Sequence, residues 1–280
     1  MRKSFLIVFL LFIKSVTALP VPAGSKVILE KMMIQLQRIK TLKYHVHSKE
    51  RIEGKYFEVT SEAKLNSSPL KLYIKNPDKK LEILYVDGTN DNEALINPGK
   101  FPYVSLNLNP DNYLMRKNQH HTIKQLGFEY MAAMLSKSFP ADPKQFERVF
   151  INAGTVDWKK HHCYKIFSTN DAFKYVSYKV KNEETAKSIG SKFNCGEYRI
   201  LEKNAAVPLN GYIDEGRIIS IPNMYANKIL LFIDTTTFLP VGIYIYDNEG
   251  LYESYEFSNV EVNPTFKPEE FTRDYKDYNF

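Results

Sequence analysis

The chain has 280 residues, 44% hydrophobic and 25% charged, which is globular composition and excludes a disordered tail. A mean hydropathy of −0.36 excludes a multi-span membrane protein. The formal charge of +6 falls to +3 without Arg2, Lys3 and Lys14, a balance that gives no support to a nucleic-acid partner.

Residues 1–18 read as a secretory signal. Arg2 and Lys3 form the basic start, and Phe5 to Ile13 is an apolar run too short to span a bilayer. Val16-Thr17-Ala18 places small side chains before the expected cleavage point, after Ala18. The mature chain is therefore expected to be exported, in the periplasm or cell envelope, and not integral to the membrane. Ser25 to Lys40 has helical spacing, with Leu29, Met32, Met33, Leu36 and Ile39 on one stripe.

Strand patterns follow. Leu42, Tyr44 and Val46 alternate with Lys43, His45 and His47, and Glu53-Gly54-Lys55 marks a hairpin. Phe57, Val59, Ala63 and Leu65 alternate with polar residues, as do Leu70, Leu72 and Ile74. Leu81 to Val86, Ala94 to Ile96 and Val104 to Leu108 are each closed by a turn signal, so an antiparallel meander is predicted. A helix is predicted from Thr122, with Gln125 in the capping-box position and Ile123, Leu126, Tyr130 and Met134 as its apolar stripe. Residues 139–160 carry no clear pattern. Strands return at Cys163 to Phe167 and Tyr175 to Val180, then at Ile229 to Ile233, Val241 to Ile245 and Leu251 to Val262. Ile229 to Ile233 is apolar on both faces, so it must be covered on both or line a cavity.

Residues 178–222 break this rhythm. A short strand at Tyr178-Lys179-Val180, helices at about 184–193 and 197–203, and a strand at Arg217 to Ile221 give a β-α-α-β order. The segment resembles the lysin motif (LysM), through Tyr178-Lys179-Val180-Lys181, Glu184-Thr185, Ile189, Phe193, Leu201, Asn204, Ile213, Gly216-Arg217 and Ile219-Ser220-Ile221-Pro222. It departs at Glu183, where the family usually has Gly, at Ala186 for Leu and at Gly190 for Ala. The resemblance implies binding of peptidoglycan or another N-acetylglucosamine glycan by backbone groups of two loops. Here these hold Asn182, Glu183, Glu184 and Thr185, and Asn204, Ala205, Val207 and Pro208. The paired ends would let it sit on a host hairpin with arms Phe173 to Val180 and Lys228 to Asp234.

The rest of the chain resembles the lipoprotein-carrier (LolA-like) superfamily. The resemblance rests on Phe232-Ile233-Asp234-Thr235-Thr236-Thr237-Phe238-Leu239-Pro240, Asp247-Asn248-Glu249-Gly250, Phe257 and Asn259-Val260. Glu82-Ile83-Leu84-Tyr85-Val86, Asn97-Pro98 and Arg116, His121-Thr122-Ile123 and Gly127 look like an uncharacterised bacterial domain family of that clan. The implied fold class is α+β: a half-open antiparallel β-barrel with helices across its concave face, plus the inserted β-α-α-β module. The host spans 25–177 and 223–280, and the insertion 178–222. The resemblance implies lipid or lipoprotein as ligand. The expected apolar cavity is lined by Leu72, Ile74, Leu84, Val86, Leu106, Leu230, Phe232, Ile243 and Ile245.

Chemistry is sparse. Histidines pair at His45/His47, His120/His121 and His161/His162; His45 and His47 share a strand face at a spacing that can bind a metal, but they alternate with the apolar positions and are expected to face solvent, and no metal is expected. No nucleophile elbow, zincin motif, phosphate loop or dinucleotide fingerprint is present, so no catalytic residue and no cofactor is assigned. Glu82, Asp87 and Asp91 are the acids a glycan hydrolase could pair, and His161 shares a strand face with Cys163. An oxidising compartment permits a bridge between Cys163 and Cys195. The reading is an exported, non-enzymatic protein that binds an apolar ligand and is tethered to peptidoglycan. A cell-wall glycan-processing enzyme and a structural envelope protein are the alternatives.

Overall fold

The computed structural model describes residues 23–101 and 103–280; the expected signal and its cleavage point lie outside them. Among the described residues no helix is long and apolar enough to cross a membrane. Helix α1 (Ser25–Gln37) buries Ile28, Leu29 and Met32, as its stripe predicts. The Glu147 carboxylate caps it, accepting from Ser25 N at 2.9 Å, Ser25 Oγ at 2.7 Å and Lys26 N at 3.1 Å.

The first meander is β1 (Thr41–Ile52), β2 (Lys55–Ser67), β3 (Leu70–Asn76), β4 (Leu81–Val86), β5 (Ala94–Asn97) and β6 (Leu106–Leu108). The β1–β2 turn is made by Glu53 and Gly54, with φ of 49° and 76°, the positive pair a two-residue hairpin wants. Next come α2 (Tyr113–Arg116), α3 (Glu129–Ser136), α4 (Pro143–Val149), β7 (Phe150–Trp158) and β8 (His161–Thr169). An excursion follows, of β9 (Tyr175–Lys179), α5 (Ala186–Lys192), α6 (Glu197–Lys203) and β10 (Ile218–Pro222). The chain then closes with β11 (Lys228–Asp234), β12 (Pro240–Asp247) and β13 (Gly250–Val262).

The main sheet has eleven strands in the order β6-β5-β4-β3-β2-β1-β13-β12-β11-β8-β7. Each neighbouring pair is antiparallel, and β1 against β13 joins the two meanders. The result is a half-open barrel. Its main core packs Leu42, Tyr44, Leu72, Ile83, Tyr85, Leu231, Ile233, Ile243 and Phe257 against Ile28, Leu29 and Met32 of α1, Met134 of α3 and Phe146 of α4. The opposite face is covered in two places. The C-terminal segment lays Phe266, Phe271, Tyr278 and Phe280 over Tyr73 and Leu84, and Trp158 stacks on Phe232 at 5.0 Å.

Three expectations are corrected. The helix predicted from Thr122 is a single 3-10 turn, Ile123–Gln125, then a break at Gly127 (φ 82°) before α3 starts at Glu129. The Thr122–Gln125 capping box is present, but the Gly127 backbone lies within 3.1 Å, by its absent Cβ, of Leu65 and turns the chain. Residues 139–160 are α4 and β7, and α4 carries an ordinary start signal, Asp142 accepting from Lys144 N with Pro143 in its first turn. The arms around the excursion are β8 and β11, which pair directly, and Asn170 N donates to Asn227 O at 2.6 Å where they part. The segment 173–180 is not an arm, because β9 pairs with β10 in a separate two-stranded sheet.

That smaller unit has its own core of Val180, Ala186, Ile189, Cys195, Ile200, Val207, Ile213, Ile219 and Ile221. Gly190 lets α5 meet the start of α6, since a Cβ there would stand 2.8 Å from Glu197 N. Cys195 sits in this core while Cys163 lies under Phe232 and Val241, and both are free thiols. The permitted bridge is therefore not formed: the two cysteines belong to separate packed clusters. Burial pushes the thiols up to about 11 for Cys163 and about 12 for Cys195.

Candidate functional site

Helices α1 and α3 lie over β11 and β12 and leave an apolar slot between the layers. Met32 and Leu36 come from α1, Met131, Ala132, Met134 and Leu135 from α3, and Leu231, Ile243 and Ile245 from the sheet. Its volume is about 30 Å³, roughly one water's share of liquid. The slot is thus nearly filled, and Met32, Met131 and Met134 bring to its walls the most adaptable apolar side chain.

The positions expected to line one cavity divide between the two faces. Leu72, Ile74, Ile243 and Ile245 are in the main core, and only the last two reach the slot. Leu84 and Val86 face the C-terminal segment, and Leu230 and Phe232 pack beside Trp158. Leu106, on the edge strand β6, is 37% exposed. In β4 and β11 both faces are apolar, so alternation carries no phase, and a one-residue choice sends every side chain to the other face. The inward set is Ile83 and Tyr85, and Leu231 and Ile233.

Tyr225 closes one end of the slot, and beyond it lies a buried polar cluster. Glu253 of β13 is fully buried, and Glu50 of β1 is 6% exposed. His120 donates or accepts through Nδ1 to Glu253 Oε2 at 2.8 Å and through Nε2 to Arg51 O at 2.9 Å. His120 N donates to Glu50 Oε2 at 2.6 Å, and His121 Nε2 is 3.0 Å from Glu253 Oε2. Tyr225 OH donates to Glu253 Oε1, and Tyr255 OH to Glu50 Oε1 at 2.6 Å. Burial alone would raise the Glu253 carboxyl, but His121 and His120 outweigh it and hold it well below the carboxylate range. Burial likewise opposes a charge on His121, and Glu253 overrides it and raises the ring.

A second buried set adjoins the first. Asp247 Oδ2 takes Arg199 Nη1 at 2.9 Å and Arg51 Nη2. Arg199 comes from α6, is wholly buried, and stacks 3.4 Å from the Tyr252 ring centroid. Its Nε and Nη2 lack hydrogen-bond partners, and the faces of Tyr252, Tyr225 and Phe173 take their place. Glu197 pairs with Arg116 at 3.0 Å, and Tyr198 stacks on His120 at 4.5 Å. The β-α-α-β unit is thus joined to the sheet through α6.

On the far side of that unit, Asn182, Glu183, Ala205 and Pro208 are exposed, and Val207 is buried. Glu184 is engaged by Tyr178 OH, Lys192 Nζ and Lys181 N, and Thr185 caps α5. Asn204 bridges Ile200 O, Ser220 O and Ser220 N. The side chains of Glu184, Thr185 and Asn204 therefore hold the loops in shape.

The remaining candidates do not converge. Glu82 accepts from Asn279 N at 3.0 Å, Asp87 from Tyr85 OH at 3.0 Å, and Asp91 lies in an exposed turn. His161 pairs with Asp234 and His162 with Asp157, so His161 forms no dyad with Cys163; His47 pairs with Glu58. An open cleft of about 1060 Å³ lies on the outer face between the C-terminal segment and the loop before β6, lined by mixed groups such as Lys75, Glu82, Leu84, Val86, Asn107 and Arg273. Sequence reasoning missed Glu50, Glu253, Tyr225, Tyr255, Arg51, Arg199 and Asp247. The signal it had was Glu253 set between Tyr252 and Tyr255 on a predicted strand.

No curated protein matches the sequence. Among solved structures, the chain is similar to LprF from Mycobacterium bovis at 13% identity and TM-score 0.42, over 87% of this chain and 95% of that one. It is similar to the Mycobacterium tuberculosis lipoprotein LppX at 12% identity and TM-score 0.38, over 87% and 99%. A third is the putative outer membrane lipoprotein-sorting protein domain from Vibrio parahaemolyticus, at 8% identity and TM-score 0.28, over 90% and 97%. Residues 39–183, just over half of the sequence, match the family described as "Protein of unknown function (DUF1571)", and the chain belongs to that family.

Proposed function

We propose that the protein is an exported, non-enzymatic binding protein whose half-barrel takes an apolar chain, from a lipid or the acyl part of a lipoprotein, between α1–α3 and the sheet. The observation that carries this reading is the slot: a seam lined almost entirely by apolar side chains, Met32, Met131 and Met134 among them, with Tyr225 and Ser138 as its polar neighbours. A volume of about 30 Å³ holds no acyl chain, so loading moves α3 away from the sheet. Helix α3 is suited to this, being eight residues long with Gly127 just before it. Each methylene then buried contributes about 0.8 kcal/mol.

Uptake of a fluorescent fatty acid by lipid-stripped protein tests the reading. Wild type takes up the probe, and Ala132→Phe, which fills the slot at an overpacking cost of roughly 1–3 kcal/mol, loses uptake while keeping its circular dichroism spectrum. Absence of uptake by the wild type sinks the proposal.

The β-α-α-β unit supplies the second half of the reading, a tether to peptidoglycan. Its support is the resemblance to the lysin motif together with the exposed backbone around Glu183 and Ala205. Because Glu184, Thr185 and Asn204 are already engaged, contact with acetamido groups would fall to the backbone of these loops. Sedimentation with purified peptidoglycan is expected to retain wild type and to release a Glu183→Pro, Ala205→Trp variant; equal retention of both refutes the tether.

A further inference from the structure

We propose that Glu50, His120 and Glu253 together bind one divalent transition-metal ion, and that this donor set suits Zn2+. One ligand atom from each of Glu50, His120 and Glu253 lies within 4.8 Å of the others, and all three residues are buried. His121 Nε2 approaches the same Glu253 oxygen, at 3.0 Å, that His120 Nδ1 approaches at 2.8 Å. One imidazole nitrogen and two carboxylates are donors zinc takes at about 2.0–2.2 Å, with water in the remaining position of a tetrahedron. The His120–Glu253 gap of 2.8 Å opens by a few tenths of an ångström to reach the roughly 3.3 Å between ligand atoms of such a site, and the Glu50 ligand atom lies within 4.8 Å of both.

A further observation points to a cation. The Tyr255 hydrogen is given to Glu50 at 2.6 Å, which leaves the phenol oxygen 3.1 Å from Glu253 Oε2 with no hydrogen between them. A cation held between the two carboxylates relieves that conflict. Each ligand also carries the outer support that metal ligands show. His120 presents Nε2 to Arg51 O at 2.9 Å, which leaves Nδ1 for the ion, and Tyr225 holds the other oxygen of Glu253.

The ion would fasten β1, β13 and the segment holding both histidines. Tyr198 on His120 would carry that restraint to the inserted unit. The test is titration of the full, metal-stripped chain with Zn2+ by calorimetry and thermal melting, and with Co2+ followed by its visible ligand-field bands. The expected result is one ion per chain, a Tm that rises with metal concentration, and Co2+ bands of a low-symmetry nitrogen–oxygen site. His120→Gln and Glu50→Gln should each weaken binding at least tenfold, while His162→Ala leaves it unchanged. If either variant fails to fold, the other decides; if both fail, the Co2+ spectrum of the wild type decides, and bands without nitrogen ligation overturn the proposal. Binding of no ion, or binding equal in the wild type and a folded ligand variant, overturns it as well.

Discussion

Glu183 holds a left-handed backbone, φ 57°, at the position where the lysin-motif resemblance expects glycine. Left-handed geometry costs an L-residue roughly 1–2 kcal/mol, while glycine loses about 0.4–1 kcal/mol through the freedom of its unfolded chain. The first effect is larger, and the exposed Glu183 side chain sits outside the packed core. Glu183→Gly is therefore expected to stabilise the protein by about 0.5–1 kcal/mol, a rise of roughly 1–3 °C in Tm. A melt followed by circular dichroism checks it, and an unchanged or lower midpoint would show that the surrounding turn already accommodates the side chain.

At the scale of elements, legibility depended on how asymmetric each segment is. In β1, Leu42, Tyr44 and Val46 are buried and Lys43 is exposed, so period two names the inner face. In β4 and β11, apolar residues occupy both faces because the C-terminal segment and Trp158 cover the outside, and the phase is invisible in sequence. Helix α5 was readable from Ile189 and its Thr185 start, and α6 from Glu197 to Lys203. The break at Gly127 was not, because the stripe of Ile123, Leu126, Tyr130 and Met134 continues across it at helical spacing. Asp142-Pro143 was a legible start for α4, passed over because only a short apolar pattern follows. The polar cluster was hidden for a different reason. Glu50, His120, Tyr225 and Glu253 lie far apart in the chain, and only the β1–β13 pairing, which takes Glu50 opposite Glu253, brings the carboxylates together.

At the scale of the whole molecule, the inserted unit and the two meanders meet where Asp247 ends β12, Arg51 nears the end of β1 and Arg199 arrives from α6. Burial would raise the Asp247 carboxyl, but Arg51 and Arg199 outweigh it, and the folded-state pKa is lowered. A lowered carboxylate pKa gives stability that is complete above the unfolded value of about 3.9 and is lost as pH falls through the folded value. Below pH ~4 the wild type should therefore lose stability more steeply than Asp247→Asn, which has no proton to take up. At pH 7 the order reverses. Asp247→Asn leaves two guanidiniums buried without their carboxylate and should cost roughly 3–5 kcal/mol. The two stability profiles, from urea melts between pH 7 and pH 3, should thus converge on the acid side. Asp234, Glu253 and Glu256 are also held below their ordinary values, but they titrate in both proteins and cancel in the difference. Parallel profiles would mean that Asp247 carries no linkage and that the inserted unit is held by the Glu197–Arg116 pair and the stacking of Arg199 and Tyr198.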